Sequence, residues 1–132
     1  MRFARLFIAA LLLTAGLTAH AQDNPRVRVD TNLGKFVIEL NRDRAPLTVA
    51  NFLEYVKAGH YNGTIFHRVI ANFVGQVGGY DEKTVEKPFR AGVANESGNG
   101  LSNGRGSVGL ARTGDPHSGT AQFYINMADN SM

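Results

Sequence analysis

The sequence predicts a mostly β chain with one helix, and three observations carry that reading. Polar and apolar residues alternate through Arg26–Asp30 and again through Lys35–Leu40, the period-two pattern of half-buried strands. One stretch only, from Ala45 to Gly59, changes to helical spacing. Apolar, aromatic-rich runs near residues 64–76 and 121–128 lack that spacing and are bounded by Asn, Gly and Ser, as strands are.

In chain order, the N-terminus comes first. Arg2 and Arg5 are basic, an apolar run extends from Leu6 to about Leu17, and Ala19-His20-Ala21 is a small-residue cleavage pattern. These are the three parts of a secretory signal peptide, and the run falls short of the ~20 residues that span a bilayer. Residues 1–21 are therefore expected to be cleaved, leaving a polar leader at 22–25 and one domain at 26–132. Removing Arg2 and Arg5 from the 14 basic groups leaves 12 against 11 acidic ones. A balance so close to neutral gives no basis for binding nucleic acid, or a membrane once the signal is gone. The chain has no cysteine, so neither a disulfide framework nor a lipid-modified Cys is available. A periplasmic monomer is expected.

Thr31-Asn32-Leu33-Gly34 is a turn signal that makes the first two strands a hairpin. Pro46 opens the helix, Val49, Phe52, Leu53 and Val56 form its apolar face, and Gly59 ends it. Asn62-Gly63 is a turn. Strands are expected at Thr64–Ile70 and Phe73–Gln76, with a break at Ala71-Asn72. Val77 to Gly106 reads as a long surface loop. Further strands are expected at Ser107–Ala111 and Ala121–Ala128.

The chemistry lies in the aromatic strands. Arg68 and Gln76 stand among Phe66, Phe73 and Val74, and Gln122 stands beside Phe123 and Tyr124. Strict alternation places Phe66 with Arg68 on one face and Gln122 with Tyr124 on another. Each face offers a ring and a hydrogen-bond donor, which suits an apolar pocket with a few aimed donors. Rotation about a peptide bond faces a barrier of ~18–20 kcal/mol. In X-Pro bonds the isomers are close in energy but exchange slowly. A donor aimed at the prolyl nitrogen favours the twisted state, in which that nitrogen gains a lone pair.

Each residue also has a plainer reading. Arg68 alone fits a solvated or ion-paired strand residue, and His67 a packed, hydrogen-bonded histidine. Phe73, Phe123 and Ile125 are by default core. His60 and His117 fall in turns and read as solvated. Gly98, Gly100, Gly104 and Gly106 lack the strand-to-helix context and the Lys-Ser/Thr ending of a phosphate loop. No spacing supports a metal site or a triad with His67, so no cofactor is expected.

Taken together, Tyr61-Asn62-Gly63-Thr64-Ile65-Phe66-His67-Arg68-Val69, Ala111-Arg112-Thr113 and Gln122-Phe123-Tyr124-Ile125-Asn126 resemble the cyclophilin family of peptidyl-prolyl cis-trans isomerases. The likeness runs over nearly all of Arg26 to Asn130 and is nearest to exported bacterial members. It implies a catalytic role for Arg68, with Phe66 and His67 beside it in the motif. It implies a proline-pocket wall at Phe73 and Val74, and a substrate-binding, arginine-orienting role for Gln76. It implies peptide pairing at Ala111, Arg112 and Thr113, and the opposite wall at Gln122 and Tyr124. The implied fold is an antiparallel β-barrel with a capping helix. The implied partners are proline-containing unfolded or extended polypeptides.

Three departures stand out. Gly75 places no side chain where the family has one, and Val77 stands where Gly is usual, which strains a β-branched residue if the position needs φ > 0. Tyr124 adds a hydroxyl where Phe is commoner. The segments that follow Asn130 in the family, with their strands and second helix, do not follow here, so the barrel is expected to be incomplete and the chain a C-terminally truncated one. An isomerase that assists folding of exported proteins is the leading expectation. A fragment that binds proline peptides with little or no turnover is the alternative.

Overall fold

The computed structural model describes residues 23–132. The expected signal peptide at 1–21 and the first residue of the leader lie outside the described residues.

Strands β1 (Arg26–Thr31) and β2 (Gly34–Glu39) pair as an antiparallel hairpin, with Val29 opposite Phe36 and Val27 opposite Ile38. Helix α1 (Pro46–Lys57) begins at a proline, and its N-cap, Ala45, supplies no side-chain bond. Glu96 does so from a distant loop. Its carboxylate accepts the N–H groups of Leu47 (2.7 Å) and Thr48 (3.1 Å), satisfying orphan donors and placing negative charge at the positive end of the helix. Gly59 follows the helix at φ +68. The buried face is Val49, Phe52 and Tyr55, with Leu53 and Val56 partly covered. Tyr55 was not expected there. Its hydroxyl accepts the Arg90 N–H at 2.8 Å, and the Arg90 guanidinium lies 5.4 Å from the ring centre.

Strands β3 (Thr64–Ile70), β4 (Val74–Asp81), β5 (Val108–Leu110) and β6 (Phe123–Asn126) form a second sheet in the order β3-β4-β6-β5. All its neighbours are antiparallel. Strand β4 continues to Asp81, well into the stretch read as loop. Its glycines hide it, because Gly has little strand propensity. Positive φ occurs at Gly78 (+99) and not at Val77, so Val77 sits unstrained in the core. A Cβ at Gly78 would lie 2.8 Å from the Tyr61 ring and 2.9 Å from the Ala121 carbonyl.

The expectation of a mostly β, incomplete antiparallel barrel is corrected. The domain is a small mixed α/β structure with one helix and two open sheets. A barrel needs a continuous hydrogen-bonded circuit, and among the described residues no strand joins the hairpin to the four-stranded sheet. Packing joins them instead. Ile38 and Leu40 from the hairpin side, Val49 and Phe52 from α1, and Val77 and Phe123 from the larger sheet form one buried cluster.

Tyr61 closes this cluster, with its ring 5.1 Å from Phe52 and 5.4 Å from Phe123 and its hydroxyl donating to the Ala121 carbonyl at 2.8 Å. Burial first, and then neighbouring Tyr55, push the ionisation of this phenol well above its ordinary range. The folded state therefore holds Tyr61 neutral where the unfolded chain ionises. That contribution is complete below the ordinary tyrosine value of about 10 and is lost as pH rises above it. Melting temperature should fall above that pH, and the fall should be shallower in Tyr61→Phe. Equal alkaline slopes for the two proteins would contradict this account of Tyr61.

Candidate functional site

Paired residues in neighbouring antiparallel strands share a face of the sheet. The register Arg68↔Gln76, Gln76↔Tyr124 and Gly109↔Tyr124 therefore draws one row across all four strands, β3 to β5. A second row, Phe66, Val77, Phe123 and Leu110, lies on the opposite face, which packs on the core.

This separates two residues that alternation had placed together. The register shifts between Phe66 and Arg68, so two steps on β3 answer one step on β4. The extra residue, a bulge at His67, turns Phe66 to the core side while Arg68 stays with Gln76. Phe66 lies over Gly75, where a Cβ would stand 3.6 Å from its ring. It lines a cavity of about 820 Å³ between hairpin and sheet, with Phe36, Val77 and Phe123. The 3.6 Å distance is ordinary van der Waals contact, so the space over Gly75 would also accept an alanine. The bulged His67 packs 4.6 Å from Tyr80, ring centre to ring centre, and its Nδ1 has no partner among the described residues. It is packed, as the plainer reading held, but not hydrogen-bonded at that atom.

Arg68, Gln76 and Gln122 form one hydrogen-bonded chain. Arg68 Nη1 donates to Gln76 Oε1 at 3.3 Å, and Gln76 Nε2 donates to Gln122 Oε1 at 2.8 Å. The Arg68 carbon Cζ lies 5.7 Å from the centre of the Phe73 ring, within cation–π range. The guanidinium is exposed and keeps further N–H groups for a ligand. Phe73 is 41 % exposed, whereas Val74 is 4 % exposed. Phe73 therefore offers its ring outward, while Val74 fills the sheet beneath. Tyr124 turns its hydroxyl to Asn103 Oδ1 at 3.0 Å, which satisfies the polar group that the wall acquires with tyrosine.

Glycines make this arrangement possible, a signal present in the sequence but unreadable without the register. A Cβ on Gly79 would lie 2.7 Å from Gln122 Cγ, and one on Gly109 would lie 2.9 Å from Tyr124 Cε1. Gly79→Ala should dislodge Gln122 at little cost to folding, because the crowded atoms belong to a side chain that can swing away. Loss of the Gln76–Gln122 bond should lower any turnover at Arg68 by about three- to tenfold, the equivalent of one hydrogen bond. Unchanged turnover in Gly79→Ala would show that Gln122 does not tune the row.

Ala111, Arg112 and Thr113 follow β5 beside this row. The Ala111 N–H donates to the Gln122 carbonyl at 2.9 Å. The Thr113 N–H donates to Ser118 Oγ and its carbonyl accepts from Arg112 Nη1, both at 2.9 Å. Among the described residues the Ala111 carbonyl and the Arg112 backbone groups have no hydrogen-bond partner. His60 and His117 are not simply solvated. His60 Nε2 lies 2.8 Å from the Gly78 carbonyl oxygen, and His117 Nδ1 accepts the Asn95 N–H at 3.1 Å. No group of three or more His, Asp or Glu among the described residues is arranged to hold a metal ion.

The row has the chemistry of a donor held beside an apolar ring. Residues 26–132 match the family described as cyclophilin type peptidyl-prolyl cis-trans isomerase/CLD. The chain is 50 % identical over 115 residues to a peptidyl-prolyl cis-trans isomerase of Acinetobacter baylyi, covering 87 % of this chain and 61 % of that protein. It is 50 % identical over 104 residues to peptidyl-prolyl cis-trans isomerase B of Escherichia coli, covering 79 % and 63 %. It thus spans about three fifths of the length of these curated relatives. Among solved structures, a Cryptosporidium parvum cyclophilin-type isomerase crystallised in the presence of the dipeptide Ala-Pro superposes with a TM-score of 0.68 at 26 % identity, covering 81 % of this chain and 70 % of that one.

Proposed function

This chain belongs to the cyclophilin-type peptidyl-prolyl cis-trans isomerase family, and on that premise we propose that it accelerates rotation about X-Pro bonds in unfolded or extended polypeptides. The Arg68–Gln76–Gln122 chain beside the outward ring of Phe73 carries this reading. The proline ring rests against Phe73, and the guanidinium approaches the prolyl nitrogen as the amide twists out of plane. The donor strengthens its bond as the nitrogen gains a lone pair, so it favours the twisted state over either planar one. Gln76 holds Arg68 from one side, and Gln122 holds Gln76. The Arg112 backbone steadies the peptide on either side of the bond. No covalent bond forms or breaks.

The residues assigned to substrate are Arg68, Phe73, Gln76, Arg112, Gln122 and Tyr124, with Val74 and Ala111 behind them and His67 shaping β3 through its bulge. The N-terminal pattern of residues 1–21 supports export, which makes secreted polypeptides the clients and the periplasm their meeting place. The first test is a protease-coupled assay on an Ala-Pro peptide, in which this chain should shorten the slow phase in proportion to its concentration. A rate equal to the uncatalysed one would overturn the isomerase reading. Protein recovered from a periplasmic extract should begin at Gln22, and an intact Met1 would overturn the export reading.

Binding without turnover is the second reading. Arg68 is exposed on an edge strand, and its one tie to Gln76 is long at 3.3 Å, a looser hold than a preorganised donor requires. Saturable Ala-Pro binding with no change in the exchange rate would favour it.

A further inference from the structure

Asn126, at the end of β6, is the most deeply buried polar side chain among the described residues, 2 % exposed. A buried amide is costly unless its donors and acceptors are matched. Here Nδ2 donates to Ser107 Oγ (2.9 Å) and Asn103 Oδ1 (3.2 Å), and Oδ1 accepts from Asn130 Nδ2 (2.9 Å). The network does not stop there. Asn130 Nδ2 also donates to the Phe73 carbonyl at 3.0 Å, which the Met127 N–H reaches at 2.8 Å, so both lone pairs of that carbonyl are used. At the far end, Asn103 Oδ1 accepts the Tyr124 hydroxyl, and the Asn103 carbonyl accepts the Asn130 N–H at 2.8 Å.

A continuous run of amides therefore begins on the backbone of Phe73 and ends on the ring hydroxyl of Tyr124. Those are the two aromatic residues of the proposed proline site. The sheet does not need this run to hold together. The ladder pairs Val74 with Asn126 through the backbone, and Gly106 N–H to Asn126 O and Asn126 N–H to Ser107 O fix the loop before β5. Asn130 lies outside every strand. Asn72, just before Phe73, has φ +58, a conformation that lets the backbone leave β3 sharply. The Phe73 carbonyl is where that turn is tied down.

We propose that Asn130, acting through Asn126 and Asn103, is a positioning residue that sets the spacing of Phe73 and Tyr124 and thereby the fit of the proline ring. This rests on reading the row as a prolyl-peptide site. Asn130 touches no substrate. It works on the wall, so its loss weakens capture of the ring more than the twisting step at Arg68.

The test compares the chain with Asn130→Ala and Asn130→Asp, measuring KM and kcat on an Ala-Pro peptide together with the peptide's dissociation constant by NMR titration. Both variants lose the donor to Phe73, and aspartate does so at nearly unchanged size. KM and the dissociation constant should rise about three- to tenfold, as for one lost hydrogen bond, with kcat within about twofold. A purely structural role lowers the folded fraction instead, so apparent kcat falls and KM stays. That pattern, or wild-type KM in both variants, overturns the proposal. Should neither variant fold, Asn103→Ala frees the Tyr124 hydroxyl from the other end and must raise KM in the same way, or the proposal fails. An unaltered chain that neither binds nor isomerises the peptide would fail the prolyl-site reading itself, a result distinct from any of these.

Discussion

Replacing Arg68 with alanine should lower the rate of prolyl isomerisation about 10²–10³-fold, or about 2.7–4 kcal/mol, the magnitude found when one aimed donor is removed from a comparable site. Folding should hardly change. Arg68 is exposed on an edge strand, and its contacts are one hydrogen bond and a cation–π approach to Phe73, so its removal costs little stability. Arg68→Lys should recover only a small part of the rate. The charge remains, but the planar fork that bonds Gln76 while presenting another N–H to the peptide is gone. The measurement is the protease-coupled rate beside a thermal melt of each variant. Near-normal turnover in Arg68→Ala would remove the donor from the mechanism.

The largest loss of stability should come from Phe52→Ala, at about 3–5 kcal/mol. Phe52 is 6 % exposed and is the ring through which α1 meets the larger sheet, 5.1 Å from Tyr61 and edge-on to Phe123 at 5.3 Å. Because hairpin and sheet share no strand pairing, this cluster carries the connection between them. Small domains have only ~5–15 kcal/mol in total, so the variant should lose much of its cooperative urea transition. Phe52→Leu, which keeps a branched apolar side chain in place, should recover part of it. A midpoint for Phe52→Ala close to that of the unaltered chain would mean that the hairpin and sheet are held some other way.

Much of this architecture was legible in local pattern. The hairpin, the proline-opened helix and β3 follow from alternation, i/i+3/i+4 spacing and turn residues, all properties of neighbouring residues. What was not legible depends on partners distant in sequence. The bulge at His67 is a miscount between two strands, and nothing within Phe66-His67-Arg68 announces it. It nonetheless reverses Phe66 and separates it from Arg68. Glu96 caps a helix that begins at Pro46, a pairing no capping motif encodes. Glycines at 75, 78 and 79 concealed the length of β4, and those at 78 and 79 are required by neighbours on another strand or loop. The resemblance to cyclophilins singled out Gln76 and Gln122, and in the fold Gln76 is hydrogen-bonded to both Arg68 and Gln122. The same resemblance carried the expectation of a barrel, which the open sheets overturn. The exposed edges of such sheets invite association, and Val69 on β3, 68 % exposed, is the most exposed of the large apolar side chains on these strands.

The central claim is that this row of residues turns the X-Pro bond rather than merely holding the peptide. NMR exchange spectroscopy on an Ala-Pro peptide with a catalytic amount of the chain tests it most directly, because cis and trans forms give separate signals and normally exchange over tens to hundreds of seconds. Exchange cross-peaks should appear at short mixing times and disappear with Arg68→Ala, while titration of the labelled chain shifts the amides of Phe73, Gln76 and Arg112. Shifts of those amides without any exchange cross-peaks would contradict the claim and leave a proline-peptide binder in place of an isomerase.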